Sequence, residues 1–347
     1  MTRKGRKALL GAVCAAVAAA GSLSPSGAQA KQITIAVSMK TQVQRRWEFD
    51  ATAMRNEAAK LGAKLIFQFA NDSPTTQASQ VENLLSQGPD VLIIVPVDSK
   101  AAGAIVESAH SQNVPVIAYD IGVGTAKVDY FICRDNPKVG ELQSAAAKRM
   151  FPKGVYALIK GDPANDVAQI ISKGYDKYLV PDKDLKIVYN QFTTNWDPRA
   201  ALTDAENVLS AQNDHVDAFL ASNDGMAGGA AQAITSRNLG GKVFLSGLDA
   251  EPANLQLIAK GVQTMTVWTD LTEEGSSAVK AAFAIAQQKK PDIATVMFDA
   301  GAGEVPTHLV TVTEVNKDNL CKFVTQDAPK GWVTVDQVYG AGQTACK

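Results

Sequence analysis

The chain alternates short apolar runs with helical patterns, and this alternation limits its possible folds more than any other feature. From residue 33 the runs read "ITIAVSM", "KLIFQFA", "VLIIVPV", "VPVIAYD" and "DYFICRD". "VYALIKG", "KIVYNQF", "VDAFLAS", "KVFLSGL" and "TMTVWTD" follow in the same manner. The runs are rich in Val and Ile and lack a polar residue at every second place. Strands buried on both faces of a parallel sheet read this way. Strand–helix alternation then calls for βαβ units with right-handed crossovers.

The two groups of runs repeat each other in plan, at about five strands each, which favours two sheets over one very wide one. The expected fold class is α/β, with two doubly wound parallel-sheet lobes. "CRDNPKVGELQSAAAKRM" fits a passage between them: Asn136 caps a helix, Pro137 suits its first turn, and Val139, Leu142, Ala146 and Met150 make an apolar face. After "TVWTD" a further helix and "VPTHLVTVTEV" read as a return to the first lobe and a third crossing. The expected lobes are 31–134 plus 270–305 and 135–269 plus 306–347. The crossings are placed near 133–136, 269–270 and 305–307.

Residues 1–30 read as an export signal. "MTRKGRK" is basic, "ALLGAVCAAVAAA" is apolar but too short and alanine-rich for a comfortable membrane span, and Ala28-Gln29-Ala30 is a small-x-small cleavage site. Cys14 follows Val13, where a lipoprotein would have a small residue. The expected location is therefore periplasmic, with the mature chain starting at Lys31. Three cysteines remain after cleavage. In an oxidising compartment an odd count predicts one bridge and one thiol. Cys321 and Cys346 flank the C-terminal tail and are the expected pair, worth about 3 kcal/mol. Cys133, in "YFIC", reads as a small buried hydrophobe.

The strand ends carry the chemistry. In the first half the runs pass into Lys40, Asn71, Asp98, Asp120 and Asp135, and in the second into Asp162, Gln191, Asn223, Asp249 and Asp270. Ligands of open α/β sheets bind outside those carboxyl ends. Asp and Asn are also common helix caps, so the signal lies in the set and not in any one member. Trp47 has two readings. By spacing it heads an apolar helix face with Ala51, Met54, Ala58 and Leu61, which makes it core. Its neighbours Arg45 and Arg46 and its place after the first strand make it a platform at the sheet edge.

Catalytic equipment is missing from the sequence. The three histidines, His110, His215 and His308, are far apart, and no zinc-protease, nucleophile-elbow, phosphate-loop or dinucleotide motif occurs. No cofactor or metal is implied. Net charge is −1, and no basic run with interleaved aromatics points to nucleic acid. Carboxylates, amides and an arginine give directional bonds to vicinal hydroxyls, and flat tryptophan faces pack on the C–H faces of a sugar ring.

"RRWEFD" (45–50), "VENLLSQGPDVLIIVP" (81–96), "VPVIAYD" (114–120), "DNPKVGELQ" (135–143), "ASNDGMAGGAAQAI" (221–234) and "GVQTMTVW" (261–268) together resemble the periplasmic binding proteins of sugar ABC importers. The group is the ribose/galactose/xylose one, nearest its xylose-binding members, and the likeness spans nearly the whole mature chain. The resemblance implies a type I two-lobed fold with three crossovers that closes on one monosaccharide or polyol. It also implies delivery to a membrane permease, and in some relatives docking on a chemoreceptor, with the binding protein a monomer. Carried over by position, Arg46, Asp120, Asn223 and Asp249 would bond ring hydroxyls, and Trp47 and Trp196 would sandwich the ring. The pattern departs from the family at four places. Ile121 stands where an arginine follows the "YD" aspartate, and Val167 where the second lobe has an asparagine. Asn165 stands where the xylose binder has an aspartate, and Thr269 replaces the lysine at the second hinge. The apolar pair Ile121 and Val167 would leave a hydroxyl at that corner unpaired, which argues for a deoxy or reduced sugar over D-xylose. Two rivals share parts of the pattern. A sugar-responsive repressor would carry a helix-turn-helix where the export signal stands. A secreted hydrolase would use Asp120 and Asp249 as its paired carboxylates.

Overall fold

The computed structural model describes residues 31–341 and 346; the expected export signal, 1–30, lies outside the described residues. The first lobe runs β1 (Thr34–Met39), α1 (Arg46–Leu61), β2 (Lys64–Phe69), α2 (Pro74–Leu85), β3 (Val91–Ile94), α3 (Ala102–Ser111), β4 (Val116–Tyr119) and β5 (Tyr130–Arg134). The chain then enters the second lobe with α4 (Asn136–Met150), β6 (Gly154–Lys160), α5 (Asp166–Tyr178), β7 (Leu185–Phe192) and α6 (Pro198–Ala211). That lobe continues with β8 (Ala218–Ala221), α7 (Asp224–Ser236), β9 (Phe244–Ser246), α8 (Pro252–Ala259) and β10 (Met265–Thr269). It returns through α9 (Leu271–Ala286), β11 (Val296–Asp299) and β12 (Glu304–Val310), and ends with β13 (Val312–Asn316) and a tail.

The sheets are ordered β2-β1-β3-β4-β5-β12-β11 and β7-β6-β8-β9, with β10 and β13 as a separate antiparallel pair. All pairings from β2 through to β12 are parallel. Both lobes therefore begin with the same order, second strand, first, third, fourth. In each the order reverses beside the first strand, at β1/β3 and at β6/β8. Ligand crevices form at such switch points. The third strand of the first sheet explains the absent alternation: Val91, Leu92, Ile93 and Ile94 of β3 are all fully buried, because helices cover both faces.

The third crossing lies later than the sequence places it. Thr307, His308, Leu309 and Val310 pair in parallel with Phe131, Ile132, Cys133 and Arg134, so β12 belongs to the first sheet to its last residue. Only Thr311 separates it from β13, which pairs with β10. The boundary thus moves from 305/306 to Thr311. The apolar run 305–315 covers two strands of different sheets, and no polar break marks the change. Cys321 and Cys346 form a disulfide with their Cα atoms 5.4 Å apart, and Cys133 is a buried free thiol. Among the described residues no helix is long and apolar enough to cross a membrane.

Candidate functional site

A small cavity lies between the carboxyl ends of the two sheets. Its wall contains Arg46, Trp47, Asp120, Ile121, Asn165, Val167, Trp196, Asn223 and Asp249, together with Lys40, Gln44, Arg134 and Leu248. Thr269 does not line it. That residue is buried in β10 beside the second crossing, paired with Val312, and its Oγ1 has no hydrogen-bond partner.

Both tryptophans are fixed by polar ends and apolar faces. Trp47 sits in the first turn of α1, is 4% exposed, and belongs to the main core cluster while also walling the cavity. Its Nε1 donates to Gln44 Oε1 at 2.8 Å, and the Arg46 guanidinium lies 4.5 Å from its ring centroid. Core and platform are thus not exclusive for this side chain. Trp196 follows β7, and its Nε1 donates to Asn165 Oδ1 at 2.8 Å. The ring packs where Gly161 has no side chain: a Cβ there would come within 2.2 Å of it. Asn195 and Trp196 both adopt left-handed backbone, as do Asp120, Asp249 and Ala250 at the ends of β4 and β9. Non-glycine residues held there store about 1–3 kcal/mol each, and such strain gathers at functional sites.

Arg46 and Arg134 are set among four carboxylates. Arg46 donates from Nε to Asp50 Oδ2 (3.1 Å) and from Nη2 to Glu274 Oε2 (3.0 Å), and its Nη1 lies 3.1 Å from Asp120 Oδ1 and 3.7 Å from Asp249 Oδ1. Nη1 itself makes no well-aligned hydrogen bond. Arg134 donates from Nε and Nη2 to Asp120 Oδ1 and from Nη1 to Asp249 Oδ1 at 3.0 Å. Behind this layer the Tyr119 hydroxyl donates to Asp50 Oδ1. Burial raises every carboxyl of the group. Against the pull of Arg46, Asp50 is pushed up to about 7 and Glu274 to about 6, while Asp249 is raised and Asp120 is raised well above the carboxylate range. Burial works to lower Arg46, but the carboxylates of Asp120, Asp50, Glu274 and Asp249 outweigh it and hold the guanidinium charged. The wall therefore offers carboxyl groups and guanidinium N–H groups side by side. A hydroxyl can donate to some of these and accept from others.

Direct bonds join the lobes around the cavity. Asn165 Nδ2 donates to Val97 O (2.9 Å), Ser99 N to Ala164 O (3.0 Å), Asp166 N to Ser99 Oγ (3.1 Å) and Gly122 N to Asp166 Oδ1 (2.9 Å). Gly122 sits so close to Asp166 that a Cβ on it would lie 2.4 Å from Oδ2. Several strand-end polar residues only cap. Asp135 and Asp270 accept from the first N–H groups of the following helices, and Asp98 accepts from Lys100 N and Ala101 N in the turn before α3. Asn223 does both, accepting from Met226 N (3.0 Å) and lining the cavity. Sequence reasoning missed Arg134, because the acid after it, Asp135, took its place in the strand-end set. The signal was strand parity: Arg134 shares a face with Ile132 and Tyr130, one residue before the cap.

Two α/β lobes bonded across a small cavity, whose walls hold hydrogen-bonding groups and aromatic faces but no catalytic constellation, define a solute-binding protein. The model of the periplasmic binding protein domain matches residues 35–290, and the chain belongs to that family of non-catalytic binding proteins. It is 37% identical to the D-xylose-binding periplasmic protein of Escherichia coli over 88% of this chain and 93% of that one. Against the D-xylose-binding periplasmic protein of Haemophilus influenzae identity is 34%, over 90% and 94%. A carbohydrate transporter solute binding protein from Chloroflexus aurantiacus, solved in complex with D-glucose, superposes with a TM-score of 0.80 at 28% identity, over 88% of this chain and 98% of that one.

Proposed function

We propose that this protein captures one monosaccharide or polyol between its lobes in the periplasm, after removal of residues 1–30, and delivers it to the membrane permease of an ABC importer. The observation that carries the reading is the placement of Trp47 and Trp196, one from each lobe, on a cavity whose polar wall is Arg46, Arg134, Asp120, Asp249, Asn165 and Asn223. The ring or chain of the ligand lies between the indoles, and its hydroxyls bond to the charged wall. Closure bends the chain at the crossings, and ligand contacts to both lobes favour the closed form by their difference between the two states.

The corner made by Ile121 and Val167, 3% and 4% exposed, gives a hydroxyl no partner. The ligand presents a C–H or methyl group there, as a deoxy or reduced sugar does. A hydrolase is disfavoured, because Asp120 and Asp249 are both tied to the guanidinium of Arg134.

A thermal-shift screen against pentoses, hexoses, deoxy sugars and polyols tests this, since a ligand at 100 times its Kd adds about 2.7 kcal/mol. Tight D-xylose binding with no stronger ligand overturns the corner argument, and no response to any sugar or polyol overturns the whole reading. Trp47→Ala should give a folded protein whose ligand response is lost; a response that survives intact assigns Trp47 to the core alone.

A further inference from the structure

The segment that opens the site, 45–50, faces two ways. Arg46 and Trp47 line the cavity and Asp50 bonds to Arg46 behind it, while Arg45 and Phe49 point to the C-terminal tail. Arg45 donates from Nη2 to Gly331 O at 2.6 Å and stacks on both Phe49 (5.1 Å) and Trp332 (5.4 Å). Trp332 is fully buried, edge-on to Phe49 at 4.9 Å and against Trp268 of β10 at 5.3 Å. Its Nε1 donates to Ala250 O at 2.8 Å. Ala250 and Asp249 are the two consecutive left-handed residues that carry one site carboxylate. Helix α1 has no side-chain cap at its start, so its first turn lacks the usual local anchor.

We propose that Trp332 is a positioning residue for the binding site: one indole from the tail holds the Asp249–Ala250 turn of the second lobe and the first turn of α1 in the first. It touches no ligand. It fixes the separation of Asp249 from Arg46 and Trp47 by bonding the backbone beside the first and packing on the Phe49 and Arg45 side chains beside the others. A left-handed pair of non-glycine residues relaxes unless its surroundings over-determine it, and the Nε1–H bond to Ala250 O is such a constraint. The tail is closed by the Cys321–Cys346 bridge, which keeps Trp332 in place. The ligand-affinity part of this inference rests on the proposed sugar-binding function, whereas the positioning part does not.

The test is amide hydrogen exchange on the full chain without added sugar, with titrations of D-xylose, D-glucose and xylitol beside it. Trp332→Phe keeps a ring against Phe49 and removes the bond to Ala250. Exchange should rise roughly tenfold in the turn 247–252 while the helix start 45–50 and the strands 91–94 and 154–160 stay unchanged. Arg45→Ala should do the reverse, loosening 45–50 and sparing the turn. In each variant the half-saturating sugar concentration should rise about tenfold. Unchanged exchange in both segments, or an equal rise across the sheets, overturns the proposal, the second outcome marking Trp332 as core alone. A wild-type chain that answers none of the pentoses, hexoses, deoxy sugars and polyols of the screen, with the exchange pattern as expected, counts against the sugar reading and upholds the positioning role.

Discussion

Closing the lobes moves the Asp166 carboxyl from water to the seam between them, and Asp166→Asn should therefore tighten binding at neutral pH. In the closed structure Oδ1 accepts from Gly122 N, a residue of the opposite lobe, and Ser99 Oγ covers the Asp166 backbone N–H. Burial raises the group to about 6; backbone N–H bonds from Gly122, Val167 and Asp166 itself oppose the rise, and the Asp299 carboxylate adds to it. In the open form an exposed aspartate titrates at about 3.9. The closed state thus holds its proton more firmly. Its stability is greatest below about pH 4, falls as pH rises from about 4 to 6, and is flat above that. A difference of about 2 pH units is worth about 3 kcal/mol at most. Asp166 keeps some solvent contact, and screening there brings the expected effect to about 1–2 kcal/mol. Asn keeps an acceptor for Gly122 N and removes the charge. The ratio of variant to wild-type affinity, measured calorimetrically with the best ligand of the sugar screen, should be near one at pH 4 and about tenfold by pH 7. Taking the ratio cancels the titration of the Asp50, Glu274 and Asp120 group, which is common to both proteins. A ratio below one at pH 7, or one that does not change with pH, refutes the argument.

Two further perturbations separate the roles of charge and tail. Arg134→Met leaves Asp120 and Asp249 with Arg46 alone, and removing one partner from a buried ionic group costs about 3–5 kcal/mol; a fall in Tm that shrinks at low pH, as the freed carboxyls protonate, is the expected result, and an unchanged Tm would show that these groups are already neutral. Cys321→Ser opens a loop of sequence separation 25, which should lower stability to denaturant by about 3 kcal/mol; three thiols titrating on the denatured, unreduced chain that starts at Lys31 would contradict the bridge.

The two-sheet plan was legible because burial on both faces forces unbroken apolar strands, and β3 with its four buried residues is the clearest case. The polar strand ends gave one side of the cavity for a similar reason: a residue such as Asp120 at the end of β4 must leave the sheet where the crevice lies. Three things were hidden. The strand change at Thr311 carries no break in hydropathy, since both β12 and β13 are half buried. Glu274 meets Arg46 only because α1 packs on α9, a contact between residues 228 apart in sequence. Trp332 reads in sequence as one more aromatic in a tail, and its bond to Ala250 crosses 82 residues.

The path of the chain has a consequence for how such a molecule can change. Each lobe is assembled from two separated stretches, with crossings after Arg134, after Thr269 and at Thr311. No single cut releases one lobe whole, and no single duplication of a continuous stretch copies one. The two halves of the cavity wall therefore cannot be parted by one break in the chain. New contacts in the crevice are then reached by substituting its lining residues, and not by exchanging one continuous half for another.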